Sequence, residues 1–203
     1  TVELPTGERG PIALDLDIAA GDQQKLQTDE NPEAGDVVTV DVIITQGASG
    51  QAGFEITLTF DPAQLEYQSF SATDVFASGA AIPTPGSGNI TISVALLGGV
   101  ASKDAGSLGQ AKFKVLDGFT GEARLTLSAA QLASGAVTVG PGGAFVVIGG
   151  VSEPEIPTDP VARSDFGGDG KVDFGDFVVF AGAFGAKSGA GKYNRRVDLN
   201  DDG

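Results

Sequence analysis

The residues best suited to chemistry lie in a short acidic stretch, DFGGDGKVDFGD, at residues 165–176. If Asp165 is position 1 of a twelve-residue loop, acidic residues fall at positions 1, 5, 9 and 12, and Gly170 falls at the sharp turn of position 6. Ca²⁺ takes six to eight oxygen ligands, which carboxylates at this spacing would supply. The expected ligands are Asp165, Asp169, Asp173 and Asp176 through their carboxylates and Lys171 through its backbone carbonyl.

One ligand of this loop is missing, because position 3 is Gly167 where Asp or Asn is usual. Water or another segment would have to supply that oxygen, so we expect weak affinity. The competing interpretation is an acidic, glycine-rich loop exposed to solvent. Five matching positions followed at once by an apolar helical pattern favour the Ca²⁺ site.

A second, partial loop follows at residues 198–203, DLNDDG. Asp198, Asn200 and Asp202 occupy positions 1, 3 and 5, and Gly203 occupies position 6. Positions 7, 9 and 12 have no counterpart here. This half-loop is therefore either a truncated repeat or a Ca²⁺ site completed by another segment.

The composition excludes several kinds of chemistry. The 203 residues include no Cys and no His, so Ser-His-acid and Cys-His sites cannot form. The 27 acidic residues outnumber 12 basic ones, giving a formal charge of −15, which argues against binding a nucleic-acid polyanion. Residues 165–203 hold seven Asp and five Lys or Arg, so −13 of this charge belongs to residues 1–164. We expect a protein that is not an enzyme.

Three functional alternatives start from acidic or labile residues. A glycoside hydrolase needs only two carboxylates, and carbohydrate binding needs aromatic platforms, but Trp is absent and there are two Tyr. The Asp159–Pro160 bond could undergo calcium-triggered self-cleavage, although an ordinary linker explains it more simply. Asp15 and Asp17, and the acidic run from Asp29 to Asp36, are interpreted as a solvated strand face and a charged loop rather than metal ligands.

Alternating apolar residues predict a mainly β domain. Val38, Val40, Val42 and Ile44 share one face of a strand, and similar patterns recur at 13–18, 54–60, 90–96, 111–115, 123–127 and 145–148. Eight or nine short strands with Gly-, Pro- and Ser-rich turns favour a β-sandwich of jelly-roll type. We assign residues 1–150 to this sandwich.

The composition changes after the sandwich. Residues 151–164 carry Pro154, Pro157 and Pro160 and are interpreted as a semi-rigid linker. Residues 165–203 form the Ca²⁺-binding segment, with a short apolar helix predicted at 176–184. Its Phe177, Phe180 and Phe184 need a partner surface, because so short a helix is not stable alone.

A Ca²⁺ loop with Asp at position 12, followed by an apolar helix and a second partial loop, resembles the dockerin family. The resemblance covers residues 165–203. It implies an EF-hand-like segment that folds on binding Ca²⁺ and docks onto a cohesin.

The larger domain resembles a cohesin through GDVVTVDVIITQGASGQAGFEITLTFDPAQLEYQSF at 35–70 and LGQAKFKVL at 108–116. This resemblance implies a nine-stranded jelly roll that binds dockerins on one sheet face, without identifying the face. It also implies calcium-dependent scaffolding or adhesion, with polysaccharide breakdown as the wider process. The partner would be a cohesin- or dockerin-type protein, including the other domain of the same chain or of a neighbouring copy.

We expect an extracellular or cell-surface location, because a loop lacking one ligand needs millimolar Ca²⁺. No apolar run reaches the roughly 20 residues that cross a bilayer. The N-terminal residues do not form a secretion signal, so we expect any such signal to have been removed.

Overall fold

The computed structural model describes residues 3–151, 164–187, 191, 193–194 and 197–198. The chain divides into two compact units, residues Thr1–Val151 and Ser152–Gly203. The predicted linker, including Asp159–Pro160, falls almost entirely outside the described residues, as do Asn200 and Asp202 of the partial loop. No helix among the described residues is long and apolar enough to span a membrane.

The described residues of the first unit form ten strands in two antiparallel sheets, so the predicted mainly β class is confirmed. The strands are β1 (Ile12–Asp15), β2 (Val37–Ile44), β3 (Gly53–Thr59), β4 (Leu65–Ala72), β5 (Ala80–Pro85), β6 (Asn89–Ala95), β7 (Gly106–Val115), β8 (Glu122–Leu132), β9 (Gly135–Ala136) and β10 (Phe145–Gly149). The smaller sheet has the order β1-β2-β7-β4. The larger sheet has the order β10-β8-β3-β6-β5, with β9 paired to β8.

The core lies between the two sheets and follows the predicted alternation. Val40, Val42 and Ile44 of β2 are buried and face the same cluster as Ile56 and Leu58 of β3. Aromatic rings fill the wider spaces by edge-to-face contact. The fully buried Phe113 ring lies 5.1 Å from that of Phe60 and 5.8 Å from that of Tyr67, centroid to centroid.

Three strands, β4, β5 and the two-residue β9, were not predicted from the sequence. In β4 a bulge between Tyr67 and Ser69 breaks the period of two, so apolar residues do not alternate cleanly. β5 contains Pro83 and Pro85, and proline is unfavourable in most strand positions. It lies at the edge of the larger sheet, where a residue without an N–H is tolerated.

The expectation that Asp15 lies on a solvated strand face is wrong. β1 ends at Asp15, short of the predicted 13–18, and the Asp15 side chain is fully buried. The chain then loops back. The Leu16 N–H donates to the Lys25 carbonyl, and the Val147 N–H donates to the Leu26 carbonyl.

The second unit contains helix α1 (Phe174–Ala183), which begins two residues before the predicted start. Asp173 is the N-cap and forms a reciprocal capping box with Asp176, which fixes that start. Phe166 stacks on Phe180 at 5.9 Å between centroids, while Phe177 is 59% exposed. The helix therefore uses part of its apolar surface within its own unit and leaves part uncovered.

Replacing Phe113 with Ala should lower the free energy of unfolding by about 3–5 kcal/mol, because it opens a cavity where Phe60 and Tyr67 meet. Urea unfolding followed by circular dichroism measures this. The exposed neighbour Lys112 gives the matched control, and Lys112→Ala should change stability by about 0.5 kcal/mol or less. Equal effects of the two substitutions would contradict the proposed core.

Candidate functional site

The outer face of the larger sheet is a broad polar surface that remains in contact with solvent. Its outward residues form rows across β5, β6 and β3. One row consists of Ile82, Ser93 and Glu55, and the next consists of Thr84, Thr91 and Thr57. The face continues onto β8 through Thr126, Ala129 and Gln131. All of these side chains are half-buried or exposed.

Hydrogen bonds between side chains hold this face in one arrangement. The Ser93 hydroxyl donates to Glu55 Oε2 at 2.6 Å, and the Gln131 amide donates to Glu55 Oε1 at 3.1 Å. The hydroxyls of Thr57 and Thr91 lie 3.0 Å apart. Because these contacts bridge neighbouring strands, the side chains are preorganised rather than free to rotate.

The face carries little charge for so acidic a protein. Glu55 lies at its centre, and Glu122 and Arg124 lie at the far end of β8. The Arg124 guanidinium lies 4.9 Å above the Phe145 ring and 3.7 Å from the Glu122 carboxylate. Other outward positions are mainly Thr, Ser, Asn, Gln, Ala and Ile, so covering them removes few charges from water.

The outer face of the smaller sheet is different. Over β1 and the second half of β2 its side chains are buried, including Asp15, Asp41 and Ile43, whereas Val37 at the start of β2 is exposed. Over β7 and β4 it is charged, with Lys114 opposite Glu66 and Lys112 on the next outward position of β7. The larger sheet therefore offers the more extensive uncharged surface.

The predicted Ca²⁺ loop folds around Asp165. Its Oδ1 accepts hydrogen bonds from the N–H groups of Gly168 and Asp169, at 2.7 and 3.1 Å, and its Oδ2 accepts one from Gly170 at 2.7 Å. Gly170 has φ of +81°, which suits glycine at this turn. The predicted sharp turn at position 6 is thus present.

Asp176 closes the loop onto the helix. Its Oδ1 accepts from the Gly167 N–H at 2.9 Å, and its Oδ2 accepts from the Asp173 N–H at 2.7 Å. These two bonds, led by that from Gly167, lower the pKa of Asp176 below its ordinary value. The remaining predicted ligands, Asp169 and Lys171, are joined by a hydrogen bond from the Lys171 N–H to the Asp169 carboxylate.

The loop fits Ca²⁺ in the chemistry of its donors and in its turn. Within the described part of the chain, no three acidic side chains are grouped closely enough to hold a metal ion. Each carboxylate has about four lone-pair sites, so one that already accepts amide hydrogens can still bind an ion. The Ca²⁺ ligands at 165–176 stay a prediction. Asp198 of the partial loop accepts a hydrogen bond from the Tyr193 hydroxyl at 2.8 Å.

Comparison with known proteins identifies the first unit. The cohesin domain family model matches residues 23–144, more than half of the chain. The chain belongs to the cohesin family. The predicted cohesin resemblance is therefore confirmed. The dockerin-like segment stays a prediction. No curated protein matches the chain.

Solved cohesins are among the structures that are similar to this chain. The second type II cohesin of the ScaA scaffoldin of Acetivibrio cellulolyticus is 14% identical, with a TM-score of 0.52 over 76% of this chain and 97% of that one. A non-cellulosomal cohesin from Archaeoglobus fulgidus is 19% identical, with a TM-score of 0.45 over 64% and 83%. The sixth cohesin of A. cellulolyticus scaffoldin B, solved with a Cel5 dockerin mutant, is 16% identical, with a TM-score of 0.47 over 65% and 92%.

The sequence did not reveal the outward residues of the cohesin domain's larger sheet as a site. Thr, Ser and Gln on a strand are ordinary solvent-facing residues, and their grouping depends on the order β8-β3-β6-β5. The alternation around Glu55 indicates which side of the strand points away from the core. It does not indicate whether another part of the chain covers that side.

Replacing Asp176 with Asn should weaken the second unit at pH 7, because Asn cannot accept from both the Gly167 and Asp173 N–H groups in the same way. A carboxylate whose pKa is lowered by folding stabilises the folded state at every pH above its unfolded pKa of about 3.9. This stabilisation is lost as the pH falls through the lowered, folded-state pKa. Hydrogen exchange at those two amides, without Ca²⁺, should differ between wild type and D176N at pH 7 and converge in strong acid.

The matched control is Asp169→Asn, since Asp169 accepts only one local amide. Its effect should be much smaller than that of D176N. An equal loss of protection in the two variants would contradict the assigned role of Asp176.

Proposed function

We propose that the outer face of the larger sheet binds a dockerin-type protein, making the chain a non-catalytic scaffolding or adhesion component. Membership of the cohesin family supports this, and a cohesin from A. cellulolyticus is described in complex with a dockerin. The observation that carries the choice of face is its combination of preorganised polar groups and low charge.

Low charge matters because a docking partner must displace water from the whole contact. Removing water from an unpaired charge is costly, whereas Thr and Ser hydroxyls can exchange hydrogen bonds at small cost. Glu55 is the exception at the centre, and Ser93 and Gln131 hold both of its oxygens in place. A partner that places a hydrogen-bond donor or a cation opposite Glu55 would replace the hydrogen bonds that this carboxylate makes to water.

Thr57→Arg should weaken dockerin binding by about 100-fold or more, because it places a long cation in the middle of the face. Ser71→Arg adds the same residue to the outer face of β4 and should leave affinity unchanged. Biolayer interferometry with the full chain measures both, using the Cel5 dockerin and residues 164–203 of this chain as probes. Binding unaffected by Thr57→Arg but lost with Ser71→Arg would place the interface on the smaller sheet.

We also propose that the second unit is a dockerin-like segment that binds Ca²⁺ through Asp165, Asp169, Lys171, Asp173 and Asp176. The ion would draw together carboxylates that are not grouped as a metal site in the described structure, and so order the loop that leads into α1. The uncovered Phe174, Phe177 and Val178 would then contact a cohesin. The weak loop suits an extracellular setting, where Ca²⁺ is abundant.

Isothermal titration should detect Ca²⁺ binding to the wild type with a Kd between about 0.1 and 1 mM. Asp165→Asn should weaken it about tenfold or more. Asp61→Asn is the control, because Asp61 likewise accepts a backbone amide, that of Ala63, but belongs to the sandwich. No heat of binding to the wild type, or equal affinities in the wild type and D165N, would contradict the Ca²⁺ assignment.

A further inference from the structure

The outer face of the larger sheet ends in an exposed apolar patch. Ile82 of β5 is 65% exposed, and the loop that follows β6 carries Leu97 and Val100, of which Leu97 is 87% exposed. These residues lie at one end of the sheet, because Ala80 at the start of β5 pairs with Ala95 at the end of β6. We call Ile82, Leu97 and Val100 the apolar end.

A cleft beside the apolar end has room for a side chain from a partner. Its volume is about 420 Å³, and its lining includes Leu97 and Val100 together with Val75 of the Asp74–Phe76 turn. The one charged residue that lines it, Asp74, forms an ion pair with Lys103. An apolar group that enters this cleft therefore meets apolar side chains without having to desolvate an unpaired charge.

Helix α1 of the second unit has a matching surface. Phe174, Phe177 and Val178 are exposed, and their spacings of three and four residues put them on one face of the helix. The rings of Phe174 and Phe177 lie 5.9 Å apart, centroid to centroid, and form a continuous aromatic surface. Helices that dock into grooves use this spacing for their apolar anchors.

The charges of the two units are also complementary. Residues 1–164 carry a net charge of −13, whereas the stretch 185–197, which follows α1, holds four cations and no carboxylate. Those cations are Lys187, Lys192, Arg195 and Arg196. Opposite net charges speed the encounter of two surfaces and orient them. They therefore favour contact of the helix with a sandwich over contact between two helices.

The chain leaves the sandwich far from the apolar end. After β10, Val151 exchanges two hydrogen bonds of 2.8 and 2.9 Å with the Asn31 side chain, close to the point where Gly149 pairs with Glu122. Glu122 begins β8, and the apolar end lies near the level where β8 finishes, roughly 30 Å away along the strand.

This distance decides between a chain's own sandwich and that of a neighbour. Residues 152–163, twelve in all, span at most about 40 Å when fully extended, and they would also have to pass around the edge of the sheet. A linker that can barely span two sites gives a low effective concentration. The sandwich of another copy imposes no such requirement, so docking between copies is favoured.

We propose that this chain binds a second copy of itself, with Phe174, Phe177 and Val178 of one copy docking onto the apolar end of the next. The inference rests on the proposed dockerin-binding face and names the partner of that face. Because the two contacting surfaces differ, every copy in a pair keeps one surface free. Association therefore continues head to tail into a ring or an open chain.

Two full-length variants, each blocked at one surface, test this arrangement. Leu97→Asp puts a charge into the apolar end, and Phe177→Glu puts one onto the helix, where Glu retains a high helix propensity. Each should weaken docking by about 100-fold or more. In sedimentation velocity at about 100 µM chain and about 2 mM Ca²⁺, the wild type should form dimers and larger species, while each variant alone should be monomeric.

An equimolar mixture of the two variants should form a one-to-one complex and nothing larger. The intact helix of L97D docks onto the intact apolar end of F177E, and the two surfaces left over are both blocked. Recovery of binding in the mixture also shows that both variants are folded. Ile18→Asp is the control, because Ile18 is exposed and apolar but follows β1 of the smaller sheet, and it should assemble like the wild type.

Three results would overturn the proposal. They are a wild type that stays monomeric, a mixture that forms no complex, and L97D chains that associate with one another, which would put the contact between two helices. The Cel5 dockerin separates this failure from failure of the proposed function. A monomeric wild type that binds that dockerin would reject self-docking alone, whereas one that also fails to bind it would reject the binding face as well.

Discussion

The period of two in a β-strand is the constraint on which this molecule depends. Each strand that buries one row of apolar residues must direct the alternate row outwards. Val40, Val42 and Ile44 pack against the opposite sheet, and this fixes Asp41 and Ile43 on the outer side of β2. Each outward row is then buried or exposed according to whether another part of the chain covers it.

The two sheets differ in whether their outward rows are covered. Over β1 and the second half of β2, the outward row is buried, and Asp15 anchors the following loop by accepting three backbone N–H groups. This cover places carboxylates in a low-dielectric environment and gives Asp41 its raised pKa. Over β8, β3, β6 and β5, the outward row remains in contact with solvent and consists mainly of small polar side chains. Covering buries carboxylates on one sheet, and lack of cover leaves a solvent-facing polar surface on the other.

The second unit follows a different rule, because the apolar surface of α1 is only partly buried among the described residues. Phe180 stacks on Phe166, but Phe174 and Phe177 remain 76% and 59% exposed. The loop before the helix is ordered by carboxylates that accept backbone amides, most of all at Asp165 and Asp176. Local electrostatics thus determine where α1 begins, while its aromatic surface requires something outside the helix.

The sequence by itself determined the β class, the inward rows of the clean strands, the position of the sharp turn at Gly170 and the presence of a helix after it. These features depend on local alternation, glycine geometry and the capping preference of Asp, all of which involve residues close together in the sequence. Tertiary structure alone decided that Asp15 is buried, that β4 and the proline-containing β5 are strands, and that Glu55 lies between Ser93 and Gln131. The physical reason is that burial, bulges and cross-strand contacts depend on which distant strands become neighbours, and a single strand's pattern does not record that order.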